Sequence, residues 1–188
     1  MKLIRNITFG SVMILYLWFP LSMIADQQRI LNKGEVFRFR PQPLDPYDAF
    51  RGRYIVLSFV EQNINVPNAQ ETFQSNDKIF VSLDKDSLGF VYFSNPSFEK
   101  PEGKNYLKTR VWYTNKDHII VEIPENLQRY YLNEKLAPLA EEKFRELTRN
   151  LENAEVNVYL DARVLDGEVL IEELYFENIP VSEYLKNQ

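Results

Sequence analysis

The chain has 188 residues, of which 45% are hydrophobic and 26% charged, and this composition excludes a disordered chain and a multi-span membrane protein. It has no cysteine and a single histidine, His118, which excludes disulfides, thiolate chemistry and multi-histidine metal sites within one chain. The net charge of −5 has the wrong sign for a general nucleic-acid binder.

The N-terminal segment predicts a transmembrane helix. Residues 7–25 carry no charge over 19 positions, long enough for a helix to cross the ~30 Å hydrocarbon layer. Lys2 and Arg5 precede this segment. The positive-inside rule therefore places residues 1–6 in the cytoplasm and sends the rest of the chain out of the cytoplasmic membrane, into the periplasm.

A cleaved signal peptide is the alternative for the same segment. A cut after Ala25 would place Met23 where the cleavage site needs a small residue, so we favour an uncleaved signal-anchor. The boundaries of the rest of the chain follow from this signal-anchor. We predict a polar connector at 26–33, an exported domain at 34–180 and a tail at 181–188.

Alternation of apolar and polar residues predicts about seven or eight strands in the exported domain, mostly antiparallel because their connections are short. The strongest signal is residues 53–60, where both faces are largely apolar, and it predicts a central strand around which the sheet is assembled. Asp166-Gly167 predicts a two-residue hairpin turn between the last two strands. The predicted strands cover 35–40, 53–60, 78–83, 90–93, 106–113, 118–123, 155–164 and 168–176.

One amphipathic helix is predicted before the last hairpin, over 133–154, with Asn133 as its N-cap. Residues 61–77 and 94–105 carry proline and polar residues and predict loops. The C-terminal tail offers Ile179, Val181 and Leu185 for packing. The sequence thus predicts an α+β domain, mainly antiparallel β, behind one N-terminal transmembrane helix.

Most catalytic signatures are absent from the sequence. It has no phosphate-binding glycine loop, no Gly-x-Ser-x-Gly elbow and no His-Glu-x-x-His helix. A Ser-His-Asp triad would have only His118, which has no suggestive neighbour. Hydrolysis by two carboxylates is neither excluded nor favoured by the 27 acidic residues. We therefore predict no catalytic residue, no metal and no cofactor.

Residues 52–59, Gly-Arg-Tyr-Ile-Val-Leu-Ser-Phe, resemble the signature of the GDYxxLxY family of exported bacterial domains of unknown function. Residues 43–52 are similar to the Pro-x-Asp-Pro-x-Asp-x-x-Arg-Gly lead-in of that family. Two positions depart from the pattern, because Arg53 stands where the family has aspartate and Phe59 where it has tyrosine. The resemblance implies a polytopic membrane protein as partner, and it implies no reaction.

The lead-in to this signature has two interpretations. Asp48 can accept backbone amide bonds and Arg51 can hold a carboxylate, so a rigid turn that sets the register of the strand is the favoured one. The other is a recognition loop that presents these side chains to a partner. The candidate recognition residues are Asp45, Tyr47, Asp48, Arg51, Gly52 and Tyr54.

Two classes of function follow. The leading hypothesis is a non-enzymatic interaction domain, an accessory subunit of a membrane protein complex. The alternative is an exported hydrolase or carbohydrate-binding module that uses carboxylates and the aromatic residues Tyr92, Trp112, Tyr113 and Tyr130. Rings at such positions are more often core, so exposed rings would favour the alternative.

Overall fold

The computed structural model describes residues 2–42, 54–103, 105–148 and 158–186, with side chains from residue 8 onward. Over these ranges the fold is α+β with mostly antiparallel strands, as predicted. The helices are α1 Lys2–Lys33, α2 Ala69–Thr72, α3 Glu125–Gln128, α4 Ala137–Thr148 and α5 Val181–Tyr184. The strands are β1 Glu35–Phe39, β2 Pro41–Gln42, β3 Tyr54–Val56, β4 Ser58–Phe59, β5 Asn63–Asn65, β6 Lys78–Lys85, β7 Val91–Ser97, β8 Tyr106–Thr114, β9 His118–Val121, β10 Arg129–Tyr131, β11 Val158–Leu165, β12 Glu168–Phe176 and β13 Ile179–Pro180.

Helix α1 contains the predicted span and continues beyond it. Its part Thr8–Lys33 is long and apolar enough to cross a membrane, and its most apolar stretch is not buried in the protein. Residues 26–33, predicted as a polar connector, form the end of this helix. Within them, Arg29 forms an ion pair of 2.8 Å with Asp166 at the β11–β12 turn.

The junction between α1 and the domain is closely packed. Gly34 donates its backbone N–H to Ile30 O at 2.8 Å and ends the helix. A Cβ at Gly34 would lie 2.5 Å from Ile30 O and 3.1 Å from the Cβ of Arg163. Only glycine fits here, so helix and domain are joined without a flexible linker.

The larger sheet has five strands in the order β5-β9-β8-β6-β7, all antiparallel. Its inner face supplies core residues such as Val81, Leu107 and Ile119, each fully buried. The strands predicted at 78–83, 90–93, 106–113 and 118–123 are therefore confirmed. Strand β7 runs on to Ser97, so the loop predicted at 94–105 begins later.

The smaller sheet has four strands in the order β1-β11-β12-β13. Asp166 and Gly167 join β11 to β12 with φ angles of 52° and 85°, the positive values that a type I′ turn requires. The predicted two-residue hairpin is confirmed. The two sheets enclose a single apolar core.

The prediction of one central strand over 53–60 is wrong. The segment is divided at Leu57 into β3, which pairs with β10, and β4, which pairs with β2. Leu57 donates its N–H to Gln128 O at 2.8 Å instead of joining either ladder. One face, Ile55, Leu57 and Phe59, is buried as predicted, whereas the other face is half-buried or exposed. The segment connects the two sheets and is central to neither.

The predicted amphipathic helix corresponds to α4, which begins at Ala137; residues 149–157 lie outside the described part of the chain. Asn133 starts a turn before it, since its Oδ1 accepts the N–H of Lys135 at 3.0 Å. In the tail, Val181 and Leu185 are buried as predicted. Ile179 is 39% exposed, so its predicted packing is wrong.

Candidate functional site

Of the six candidate recognition residues, only Tyr54 lies in the described part of the chain. Its ring is half-buried at the start of β3, with its centroid 5.5 Å from that of Tyr131 on the paired strand β10. The guanidinium of Arg129 lies 5.3 Å from the centroid of the Tyr54 ring. Asp45, Tyr47, Asp48, Arg51 and Gly52 lie outside the described residues, and the recognition loop stays a prediction.

A groove of about 1030 Å³ crosses the outer face of the five-stranded sheet. Strands β6, β8 and β9 form its floor, and the turn containing α3 borders it. The groove is open and lined by both polar and apolar side chains, so it is a surface on which an extended ligand can lie.

Three cations line the β6–β8 part of this groove. Lys78 lies directly opposite Arg110 in the β6–β8 ladder, and Lys108 lies opposite Phe80. Lys108 Nζ is 3.7 Å from Glu168 Oε1, whereas neither Lys78 nor Arg110 forms an ion pair with a described residue. Like charges placed opposite each other across a strand pair destabilise a sheet. On the other side of β8, Glu122, which directly follows β9, donates its N–H to Arg110 O at 2.8 Å, so an opposite charge stands next to this pair.

A β-bulge lies on β8 next to these cations, and two aromatic side chains are exposed at it. Val111 pairs with Val121 and Tyr113 pairs with Ile120, so Trp112 is the extra residue on β8. Trp112 is 64% exposed and Tyr113 49% exposed. Bulges commonly redirect a side chain near a functional site. The alternating sequence of β8 does not reveal this bulge, because it depends on the register with β9.

Of the four aromatic residues named for carbohydrate binding, three are exposed and one is half-buried. Trp112, Tyr113 and Tyr92 are exposed, Tyr92 by 47%, which is the reverse of the burial that aromatic rings usually show. Tyr130 is half-buried and donates its hydroxyl hydrogen bond to Glu173 Oε1. Burial raises the pKa of Tyr130, and the bond to Glu173 raises it further. Tyr130 is therefore a neutral donor inside the fold.

His118 begins β9 and pairs through its backbone with Asn65 at the edge of the sheet. Its side chain is half-buried. Within the described ranges, no three histidine or carboxylate side chains lie together as ligands of a metal ion would.

Glu61 is a buried carboxyl that the sequence analysis did not single out. It is 5% exposed, follows β4 in a short 3₁₀ turn, and its Oε1 accepts the N–H of Arg40 at 3.3 Å. Arg40 is held by Asp86, and among the described residues Oε2 of Glu61 has no hydrogen-bond partner. Burial raises the pKa of Glu61 to about 7. Buried carboxyls carry no local sequence signal, since their burial depends on tertiary packing.

This carboxyl makes stability depend on pH. Because its pKa is raised to about 7 from 4.5, the folded protein keeps a proton that the unfolded chain releases in that window. Its stabilising effect is complete below pH 4.5 and is lost as the pH rises through 7. Glu61→Gln should remove this dependence, about 3 kcal/mol between pH 4.5 and 8. Urea unfolding of the full-length protein in micelles at several pH values measures it.

The exposed Glu142→Gln is the matched control, because it removes the same charge from the wet face of α4. It should leave the pH profile of the wild type unchanged. An unchanged profile for Glu61→Gln would show that Glu61 is ionised in the folded state at neutral pH.

The fold defines an α+β domain carried on an N-terminal helix that is long and apolar enough to span a membrane. A family model described as GDYXXLXY protein matches residues 16–174, and the chain belongs to this family. The family assignment made from residues 43–59 is thereby confirmed. No curated protein and no solved structure matches the chain.

Proposed function

We propose that this family member is a membrane-anchored domain outside the cytoplasm, with its N-terminus inside, and that it serves as a non-enzymatic subunit of a membrane protein complex. The observation that carries the proposal is the direct connection between α1 and the fold. The apolar helix continues into the domain, docks on the β11–β12 hairpin and ends at the close-packed Gly34. This connection supports a domain held in one orientation beside the membrane.

Two shallow grooves flank the helix where it meets the domain, each of about 410 Å³. One is bordered by Gln27, Tyr131 and Leu170, the other by Met23 and Leu165. Tyr131 is 65% exposed there. Aromatic and aliphatic side chains next to a membrane span suit contact with the extracytoplasmic loops of a polytopic protein.

Site-specific crosslinking in intact cells tests this proposal. A photoreactive residue at Tyr131 should crosslink to a polytopic membrane protein. The same residue at Lys116 should not, because Lys116 lies in the β8–β9 turn, roughly 27 Å along β8 from the end that meets the hairpin. Failure of position 131 to capture a membrane protein would overturn the proposal.

The absence of cysteine supplies a control for the topology in the same cells. Ser182→Cys, at an exposed position of α5, should react with a membrane-impermeant maleimide before lysis. Reaction only after lysis would place the domain inside the cytoplasm and contradict the proposed topology.

A second candidate function is supported by a separate observation. The exposure of Tyr92, Trp112 and Tyr113 favours a carbohydrate-binding module, since sugar sites use solvent-facing rings. Trp112 lies in the groove of the five-stranded sheet, which is lined by other residues than the grooves beside α1. An anchored module of this kind would hold a glycan near the membrane. Glu122 and Glu125 also line the groove, and with them the hydrolase form of this candidate has carboxylates available.

A further inference from the structure

The groove of the five-stranded sheet combines cationic and aromatic side chains. Lys108, Arg110 and Trp112 follow one another at every second position of β8, so they lie in a row on the outer face. Lys78 widens this row by lying opposite Arg110. These four residues are called the basic row below.

The basic row lies on a protein whose net charge is negative. The chain carries a net charge of −5, yet three cations meet on two adjacent strands. Described residues give Lys78 and Arg110 no ion pair, and the partner of Lys108, Glu168, is itself exposed. The ammonium group of Lys78 and the guanidinium group of Arg110 can therefore pair with carboxylate or phosphate groups of a ligand.

Trp112 adds an exposed aromatic ring to the row. Its ring is 64% exposed and makes no ring-to-ring contact with another described aromatic side chain. A flat, exposed tryptophan held by a bulge is a platform for the apolar face of a sugar ring. The stacking of a sugar and the pairing of its acidic group can thus occur along a single strand.

The β9 side of the groove narrows the choice of ligand. Glu122, which donates its backbone N–H to Arg110 O at 2.8 Å, and Glu125 line it, together with the amides of Gln62 and Gln128. These groups accept or donate hydrogen bonds to hydroxyls. Glu122 and Glu125 would repel a nucleic acid or an anionic lipid surface that presented phosphates to both sides of the groove, because their charge has the same sign. A ligand with one acidic edge and one hydroxyl edge matches both sides.

We infer that this groove binds an acidic oligosaccharide, with a sugar ring on Trp112, its carboxylates on Lys78, Lys108 and Arg110, and its hydroxyls toward Glu122 and Glu125. The inference rests on the second candidate function and specifies its ligand class. It does not depend on the proposed role as a subunit of a membrane complex.

The direct test is calorimetric titration of the full-length protein in neutral detergent micelles with a short oligogalacturonate. Binding is expected, weakening as salt is raised, because charge pairs at an open surface are screened. A neutral glucose oligomer of the same length should bind about tenfold more weakly, since it lacks the carboxylates. Vesicles of phosphatidylglycerol should not compete.

Variants then test the charged residues and the tryptophan of the site separately. The double variant K78E/R110E should weaken oligogalacturonate binding about tenfold or more while leaving the neutral oligomer unaffected. Trp112→Ala should weaken both ligands. Lys135→Glu, a charge reversal at an exposed residue away from the groove, should change neither. Thermal unfolding of each variant establishes that it is folded before the titration.

Three other outcomes would contradict the inference in whole or in part. Equal binding of the neutral and acidic oligomers, lost with Trp112→Ala, would keep the carbohydrate function and reject its acidic specificity. No binding of either oligomer by the wild type would reject both. Competition by phosphatidylglycerol vesicles would assign the basic row to a lipid surface. Crosslinking through Tyr131 answers the separate question of the membrane partner.

Discussion

Truncation of Phe39 to alanine is expected to lower the free energy of unfolding by about 4 kcal/mol. Phe39 is fully buried, and its ring makes edge contacts with Phe59 at 5.4 Å and Phe93 at 6.4 Å between centroids. These rings belong to β1, β4 and β7, so Phe39 joins the smaller sheet, the signature segment and the larger sheet. Removing it leaves a cavity where three elements meet. Urea unfolding of the full-length protein in micelles measures the loss.

Phe98→Ala is the control for this truncation. The same ring is removed, but Phe98 is 52% exposed and stacks only on Phe73. A loss of about 1 kcal/mol is expected, because less apolar surface returns to water. Equal losses at the two positions would contradict the placement of Phe39 at the junction of the sheets.

Replacing Gly167 by alanine is expected to cost about 3 kcal/mol, for two separable reasons. Its φ of 85° disfavours any side chain by about 1 kcal/mol. In addition, a new Cβ would lie 2.6 Å from Cε2 of Tyr106, a ring that is 1% exposed and has no room to move. The same unfolding experiment measures the change.

Gly89→Ala is the control that separates the cost of the positive φ from the cost of the contact with Tyr106. Gly89 has a nearly identical φ of 83°, but nothing lies within 4 Å of the position its Cβ would take. Its loss should be the backbone part alone, about 1 kcal/mol. If Gly89→Ala and Gly167→Ala cost the same, the hairpin turn does not press against β8 as the structure shows.

The local sequence pattern was sufficient to predict most of the strands of the fold. Alternation located β6, β8, β9, β11 and β12, and Asp166-Gly167 specified its turn because both residue types tolerate positive φ. The segment from Tyr54 to Phe59 shows the limit. Its apolar residues predicted burial correctly, but the choice of partner strand is made by tertiary contacts, and a single bond from Leu57 to Gln128 divides it.

The site was less accessible to sequence reasoning than the fold. The register between β6 and β8 brings Lys78 opposite Arg110, and the bulge leaves Trp112 without a partner residue on β9; neither relation exists until two distant segments pair. Burial of Glu61 has the same origin. Phe59, which stands where the family has tyrosine, is 1% exposed and serves the core, as its apolar ring allows.

The close junction at Gly34 has a consequence for affinity. On the proposed topology, helix α1 extends beyond residue 25 by eight residues, roughly 12 Å, before the domain begins. A domain on so short a stalk explores only a thin layer above the bilayer, and partners in the same membrane meet it at an effective concentration on the order of millimolar. Contacts too weak to survive purification can then be saturated in the cell. Crosslinking in intact cells is for that reason better suited to this protein than isolation of a complex.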